Sequence, residues 1–125
     1  METESINIKL PIKIISEANN TDHWTKKHKR KKDIAKKLRT YLPSFGKCHL
    51  PCKVTLTRIS PRRLDSDNLI ISFKFIRDYL SNLLIPGLAP GRADDDHRIE
   101  WCYEQVRGES KEYAIIVRIE SKLTE

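Results

Sequence analysis

Read for the alternation of apolar and polar positions, the chain falls into six segments. Ile6 to Ile15 (INIKLPIKII) alternates with the period of a strand, and Pro11 in its middle, lacking an N–H, marks an edge strand or two short ones. After the turn-rich ANNTDHW, where Thr21 or Asp22 can cap a helix, a helix is predicted over 23–42. It stops at Pro43 and carries a narrow apolar stripe of Ile34, Leu38, Tyr41 and Leu42. Its basic first half is expected to fray without a ligand. Lys53 to Ile59 (KVTLTRI) is a strand, broken by SPRR at 60–63. From Asn68 to Leu84 apolar residues recur at helical spacing, Leu69, Phe73, Ile76 and Leu80 among them, so a second amphipathic helix is predicted there with Asp67 or Asn68 as its N-cap. IPGLAPG is a loop. His97 to Val106 and Glu112 to Ser121 then read as two strands of an antiparallel hairpin turning at 107–111. The order β-α-β-α-β-β, with no internal repeat, predicts an α+β (α/β) fold: a mixed sheet with helices packed on it.

Length and composition narrow this further. A chain of 125 residues makes one domain, 1–125, with a modest core. Its 38% hydrophobic content is too high for a wholly disordered chain. Apolar runs such as LIISFKFI are too short to span a bilayer, and no charged-then-apolar N-terminus is present, so the expected address is the cytoplasm. The three cysteines, Cys48, Cys52 and Cys102, are expected to be reduced: the number is odd, and Cys48, His49 and Cys52 lack the second Cys/His pair that a structural zinc wants.

Charge changes the picture more. The formal net charge is +7, yet Lys26 to Arg39 (KKHKRKKDIAKKLR) alone holds nine Lys or Arg against one Asp, leaving the rest of the chain close to neutral. Like charges at helical spacing repel, so a one-signed block on a helix is an electrostatic footprint for phosphates. Lys26, Lys27, Lys29, Arg30, Lys31 and Lys32 are the candidate DNA contacts from this block, with Arg62 and Arg63 from the later SPRR turn. Trp24 beside the block can stack on an unpaired base or serve the core, and Trp101 suits core or dimer interface.

Against this basic background stand five aspartates in two clusters, LDSDN (64–68) and ADDDH (93–97). Asp65 and Asp67 lie at i and i+2 where a strand gives way to a helix; on extended backbone they would share a face, about 7 Å apart. Such a pair can bracket one or two Mg²⁺ ions, which bind through few carboxylates and keep several waters for substrate phosphate, with Asp94, Asp95 and Asp96 supplying a further ligand. The same residues can equally be a helix cap and a polar loop. No nucleophilic or histidine-based constellation competes, because His23, His28, His49 and His97 are scattered and the four glycines form no phosphate loop.

The run RRLDSDN, then Lys74 with Asp78-Tyr79-Leu80, then DDHRI (95–99) resembles the RusA family of Holliday junction resolvases. The resemblance implies an α/β fold, a homodimer and Mg²⁺-dependent paired nicking of four-way DNA junctions. It implies that Asp65, Asp67 and Asp96 are catalytic, that Asp65, Asp67, Asp95 and Asp96 hold the metal (Mg²⁺, with Mn²⁺ as the alternative), and that Asp94 is extra. Lys74 matches the family's catalytic lysine, which would stabilise the phosphate or position the water. Here the lysine stands further behind the acidic motif than in the family, at whose spacing this chain has Ile71. The three extra residues of a continuous helix would rotate the side chain by about 300° and advance it by about 4.5 Å. Arg77, one turn on, is a substitute.

Sequence therefore leads to a Mg²⁺-dependent endodeoxyribonuclease acting on branched DNA as a homodimer, with no membrane partner and no small-molecule cofactor beyond the metal. The alternatives are a non-catalytic nucleic-acid-binding module of the same fold, and a nuclease for a flap or fork.

Overall fold

Pro11, which has no N–H to give to a ladder, ends the first strand, so β1 covers only Ser5–Leu10. The chain continues past it, and Ile12 and Ile14 still reach the core. The computed structural model describes residues 5–15, 24–41, 50–85 and 97–122. The remaining elements are α1 (Trp24–Tyr41), β2 (Cys52–Ser60), α2 (Ser66–Ser72), α3 (Lys74–Leu84), β3 (Ile99–Arg107) and β4 (Ala114–Ser121). The basic half of α1, expected to fray, is helical from Trp24 onward.

The four strands form one mixed sheet in the order β1-β4-β2-β3, with β1 at one edge as its proline suggested. β2 pairs antiparallel with β4 and parallel with β3. The predicted β3–β4 hairpin is thus corrected: the two strands run in opposite directions, but β2 lies between them. Crossing one intervening strand takes about 10 Å, which the short connection after Arg107 spans. Gly108 makes the crossing over the end of β2, donating its N–H to the Ser60 carbonyl at 2.9 Å. A Cβ there would stand 3.0 Å from Ile59 Cγ2 and 2.8 Å from Glu112 Oε1, so a side chain would have to displace both.

Register divides the sheet into two faces. Ile99, Trp101 and Tyr103 of β3, Cys52, Val54 and Leu56 of β2, Ile115, Val117 and Ile119 of β4, and Ile6, Ile8 and Leu10 of β1 fall on one face. Leu38 of α1, Leu69 of α2, and Ile76 and Leu80 of α3 complete the core on that side. The other face carries Lys53, Glu100, Cys102, Glu104, Arg118 and Glu120, a polar set that includes the Arg118–Glu120 ion pair at 3.3 Å. Cys52, buried, and Cys102, half-buried, form no disulfide, while Cys48 lies outside the described residues. No helix among the described residues is long and apolar enough to cross a membrane.

The single helix expected over 68–84 is two. Ser72 Oγ donates to the Leu69 carbonyl at 2.6 Å, and the Phe73 N–H bonds Ile70 O at 3.1 Å in a tighter i to i−3 turn, with Phe73 at φ −93, ψ 0. Side-chain bonding to a nearby carbonyl offers the backbone an alternative to the regular helix and bends it. Phe73 itself is completely buried at the break. The rotation expected of a continuous helix between Asn68 and Lys74 therefore does not apply.

Candidate functional site

The site begins where β2 ends. Pro61 stops the ladder and the chain turns toward α2 as Arg62, Arg63, Leu64 and Asp65. Three side-chain contacts hold this turn. Arg58 Nη1, buried under it, donates to the Arg62 carbonyl at 2.6 Å. Burial lowers the pKa of the Arg58 guanidinium, against a smaller opposing influence of Tyr113. From β3, the Gln105 amide pairs with Leu64 as a second peptide would: its Oε1 accepts the Leu64 N–H at 3.0 Å and its Nε2 donates to the Leu64 carbonyl at 2.7 Å. The parallel register sets Gln105 beside Arg58, so both reach the same turn from the helix-covered face.

Asp65, fixed by these contacts one residue earlier, is the N-cap of α2, with φ −67 and ψ 168. Its Oδ1 accepts the Asn68 N–H at 2.8 Å, and its Oδ2 accepts from Asn68 Nδ2 at 3.1 Å. The expected cap at Asp67 or Asn68 is corrected: the helix starts earlier because Asp65 already satisfies its open donor. Asp67 lies in the first helical turn and is exposed, so the two aspartates do not share extended backbone as the i, i+2 argument assumed. An ionised carboxylate offers about four lone-pair sites, and Asn68 takes two of those on Asp65. Capping and metal ligation are therefore compatible in the same side chain.

Asp65 lines a cleft with Arg63, Leu64 and Ser66 on one side and Tyr103, Glu104 and Gln105 of β3 on the other. Glu104 borders this cleft by its place in β3 between Tyr103 and Gln105, while the register assigns its side chain to the polar face of the sheet. Among the described residues, no three His, Cys, Asp or Glu side chains stand together as a metal-binding group. The expected ligands Asp95 and Asp96, and Asp94 beside them, lie outside the described residues. Asp65 and Asp67 are hard oxygen donors on an exposed turn, a set that fits an Mg²⁺ ion held through one or two carboxylates, water and substrate phosphate.

The cations gather elsewhere. On α1, Lys26, Lys29, Lys31 and Lys32 are exposed, with Lys27 and Arg30 half-buried. Arg30 and Lys31 meet Lys13 and Lys74 around a second cleft between α1, the segment after β1, and the α2–α3 break. Lys74, the first residue of α3, thus lines the cationic cleft, whereas Asp65 lines the other with Arg63. Arg77 is engaged with aromatic side chains: its Nη1 donates to the Tyr103 hydroxyl at 2.8 Å and its guanidinium carbon sits 4.9 Å from the Trp101 ring centre. Trp101 is half-buried against the core, while Trp24 is 67% exposed and meets His28 edge-on at 6.4 Å. Arg62 and Arg63 are exposed on the turn that carries Asp65.

No protein-family model matches the chain, and no curated protein matches it.

Proposed function

We propose that the protein is a metal-dependent endodeoxyribonuclease acting on branched DNA, with the four-way Holliday junction as substrate and Mg²⁺ (or Mn²⁺) as cofactor. The reading rests first on the resemblance of RRLDSDN, Lys74 and DDHRI to RusA resolvases. The observation that supports it best is the pair of exposed carboxylates, Asp65 and Asp67, on a turn tied to the sheet by Gln105 and Arg58. A site held on rigid elements meets the positional demands of phosphodiester chemistry.

In this reading Asp65 and Asp67 hold the ion, with Asp95 and Asp96 completing its ligands. When bound, the ion supplies Lewis-acid stabilisation of phosphoryl oxygens and a more acidic water. Arg62 and Arg63 fix the phosphates flanking the cut, and the α1 cations from Lys26 to Lys32 hold the adjoining arm. Lys74 contributes from the cationic side by neutralising strand phosphate. Two cuts placed symmetrically in a four-way junction call for a two-fold homodimer, working in the cytoplasm.

One feature favours the second reading, a nucleic-acid-binding module without turnover: both oxygens of Asp65 already serve Asn68, as a purely structural cap would. A cleavage panel separates the two. Four-way, three-way, linear duplex and single-stranded DNA are incubated with the protein, with Mg²⁺ and with EDTA, alongside Asp67→Asn. The nuclease reading expects Mg²⁺-dependent, symmetric nicks in the four-way substrate, lost in the variant while junction binding remains. Binding without cutting in any metal leaves the binding module; equal cutting of all four substrates refutes the junction assignment.

A further inference from the structure

The second cleft has a composition that phosphate contact alone does not require. Three cations, Arg30, Lys31 and Lys74, stand around it with a single carboxylate, Asp78, while Lys13, also on its wall, lays its ammonium over the Tyr113 ring at 4.4 Å; yet the floor is apolar: Ile14, Ile34, Ile71 and Phe75. Ile71 remains 38% exposed in this floor, on a helix whose opposite side packs into the core through Leu69. The volume is about 160 Å³, well below the roughly 300 Å³ at which pockets for drug-sized ligands begin. This is room for one flat ring.

A duplex backbone would use the cations and leave the floor bare, because its bases are stacked inside. A free anion would do the same. An unstacked nucleotide uses both, with its ring on the apolar floor and its phosphate among the amines. Lys31 Nζ stands 5.9 Å from the Phe75 ring centre, at the outer limit of a cation–π contact, so its flexible stem can turn to a phosphate at little cost. Aromatic side chains that bind single strands work by such stacking, with charge tracking the backbone beside it.

We propose that this cleft is a seat for one unstacked nucleotide of a DNA strand, its base on Ile34, Ile71 and Phe75 and its phosphate held by Arg30, Lys31 and Lys74. The inference rests on the DNA-binding part of the function proposed above and deepens it: the substrate must present an unpaired or extruded base as well as a backbone. Branched DNA interrupts stacking at its exchange point and so lowers the cost of extruding a base there, whereas an intact linear duplex does not. Lys74 then serves in nucleotide capture.

The test uses the full chain and fluorescence anisotropy at low salt with three labelled probes: an oligothymidylate of about eight nucleotides, an abasic phosphodiester of the same length, and a linear duplex. The wild-type protein is expected to bind oligothymidylate about tenfold more tightly than the abasic strand. Ile71→Ser, which takes apolar surface from the floor and adds no ring, should cut that preference to about twofold or less while duplex affinity stays within about twofold. Equal affinity of the wild-type protein for the two single strands would overturn the seat and leave DNA binding standing; this comparison needs no variant to fold. A preference that survives Ile71→Ser but disappears in Trp24→Ala would move the stacking to α1's exposed tryptophan and overturn the cleft. Failure to bind any of the three probes would overturn the seat and the DNA-binding reading together.

Discussion

Replacing Gln105 with Leu removes the side chain that pairs with both polar groups of Leu64. Each intramolecular hydrogen bond contributes about 1 kcal/mol net, and a polar group left buried without a partner costs about 1–3 kcal/mol. Leu64 and Gln105 are half-buried rather than sealed, so water can reach part of what is exposed, and the expected loss is about 2 kcal/mol. With a urea m-value of about 2 kcal/mol/M the unfolding midpoint should fall by about 1 M. Urea unfolding followed by tryptophan fluorescence reads that shift. Amide exchange reads the local effect: the Leu64 N–H should lose protection well before the β2 amides do. Gln105→Glu retains the acceptor for Leu64 N–H but loses the donor to Leu64 O, so it should fall between wild type and Leu at neutral pH. Protonation below about pH 4 restores a donor, and the gap between Glu and wild type should narrow there. A Gln105→Leu protein that unfolds within about 0.3 M urea of wild type, with Leu64 exchange unchanged, would refute the view that this amide holds the Asp65 turn.

The aspartates should separate in stability. Asp65→Ala loses a cap and should cost about 1 kcal/mol, whereas exposed Asp67→Ala should change stability by less than about 0.5 kcal/mol, as thermal melts of the two would show. Both should abolish Mg²⁺-dependent cleavage if the proposed chemistry holds, and Asp65→Asn should restore the fold without restoring the cut. Neutralising exposed Lys29 and Lys32 together should lessen the slope of log affinity against log salt by about 1.8 for duplex DNA, read from titrations at several salt concentrations. At the far end of the sheet the Lys122 ammonium, 2.8 Å away, holds the Glu100 carboxyl below its ordinary pKa. A depressed carboxylate stabilises the fold above its unfolded pKa and ceases to as pH falls through the lower folded value. The melting temperatures of wild type and Glu100→Gln should therefore differ at neutral pH and converge in acid.

Local pattern was enough for most elements and insufficient for their pairing. The β-branched, alternating run KVTLTRI and the proline at position 11 mark β2 and the edge strand β1, because side-chain type and a missing N–H are properties of single residues in sequence order; that β2 is buried on both faces is not among them. The β3–β4 relation could not be read the same way. A short connection looks like a hairpin turn whether it joins neighbours or crosses one strand, and the difference lies in β2, distant in sequence. The same blindness hid part of the site. Asp65 and Asp67 are visible as a motif, but Gln105 and Arg58 matter only because the parallel register of β2 and β3 brings them to one turn. Lys74 was read on a continuous helix; the bend at Phe73, set by Ser72 and a buried ring, undid that projection.

The bend also bears on how charge is kept apart. A chain with 24 Lys and Arg against 17 Asp and Glu could readily neutralise any aspartate on its surface. Yet the ion pairs involving Glu100, Glu112 and Glu120 draw on Lys122, Lys9 and Arg118, and among the described residues neither Asp65 nor Asp67 forms a salt bridge. The α1 cations face the cleft on the Lys74 side of the break, while Asp65 faces β3. Had α1 packed within reach of the Asp65 turn, cations would have closed on its carboxylates and left less negative charge for a metal and less positive charge for a phosphate. Separation costs little at the surface, where a pair is worth at most about 1 kcal/mol. In the proposed reading this leaves the α1 side to attract a polyanion while the Asp65 turn, which carries Arg62 and Arg63 as well, keeps its carboxylates out of ion pairs among the described residues.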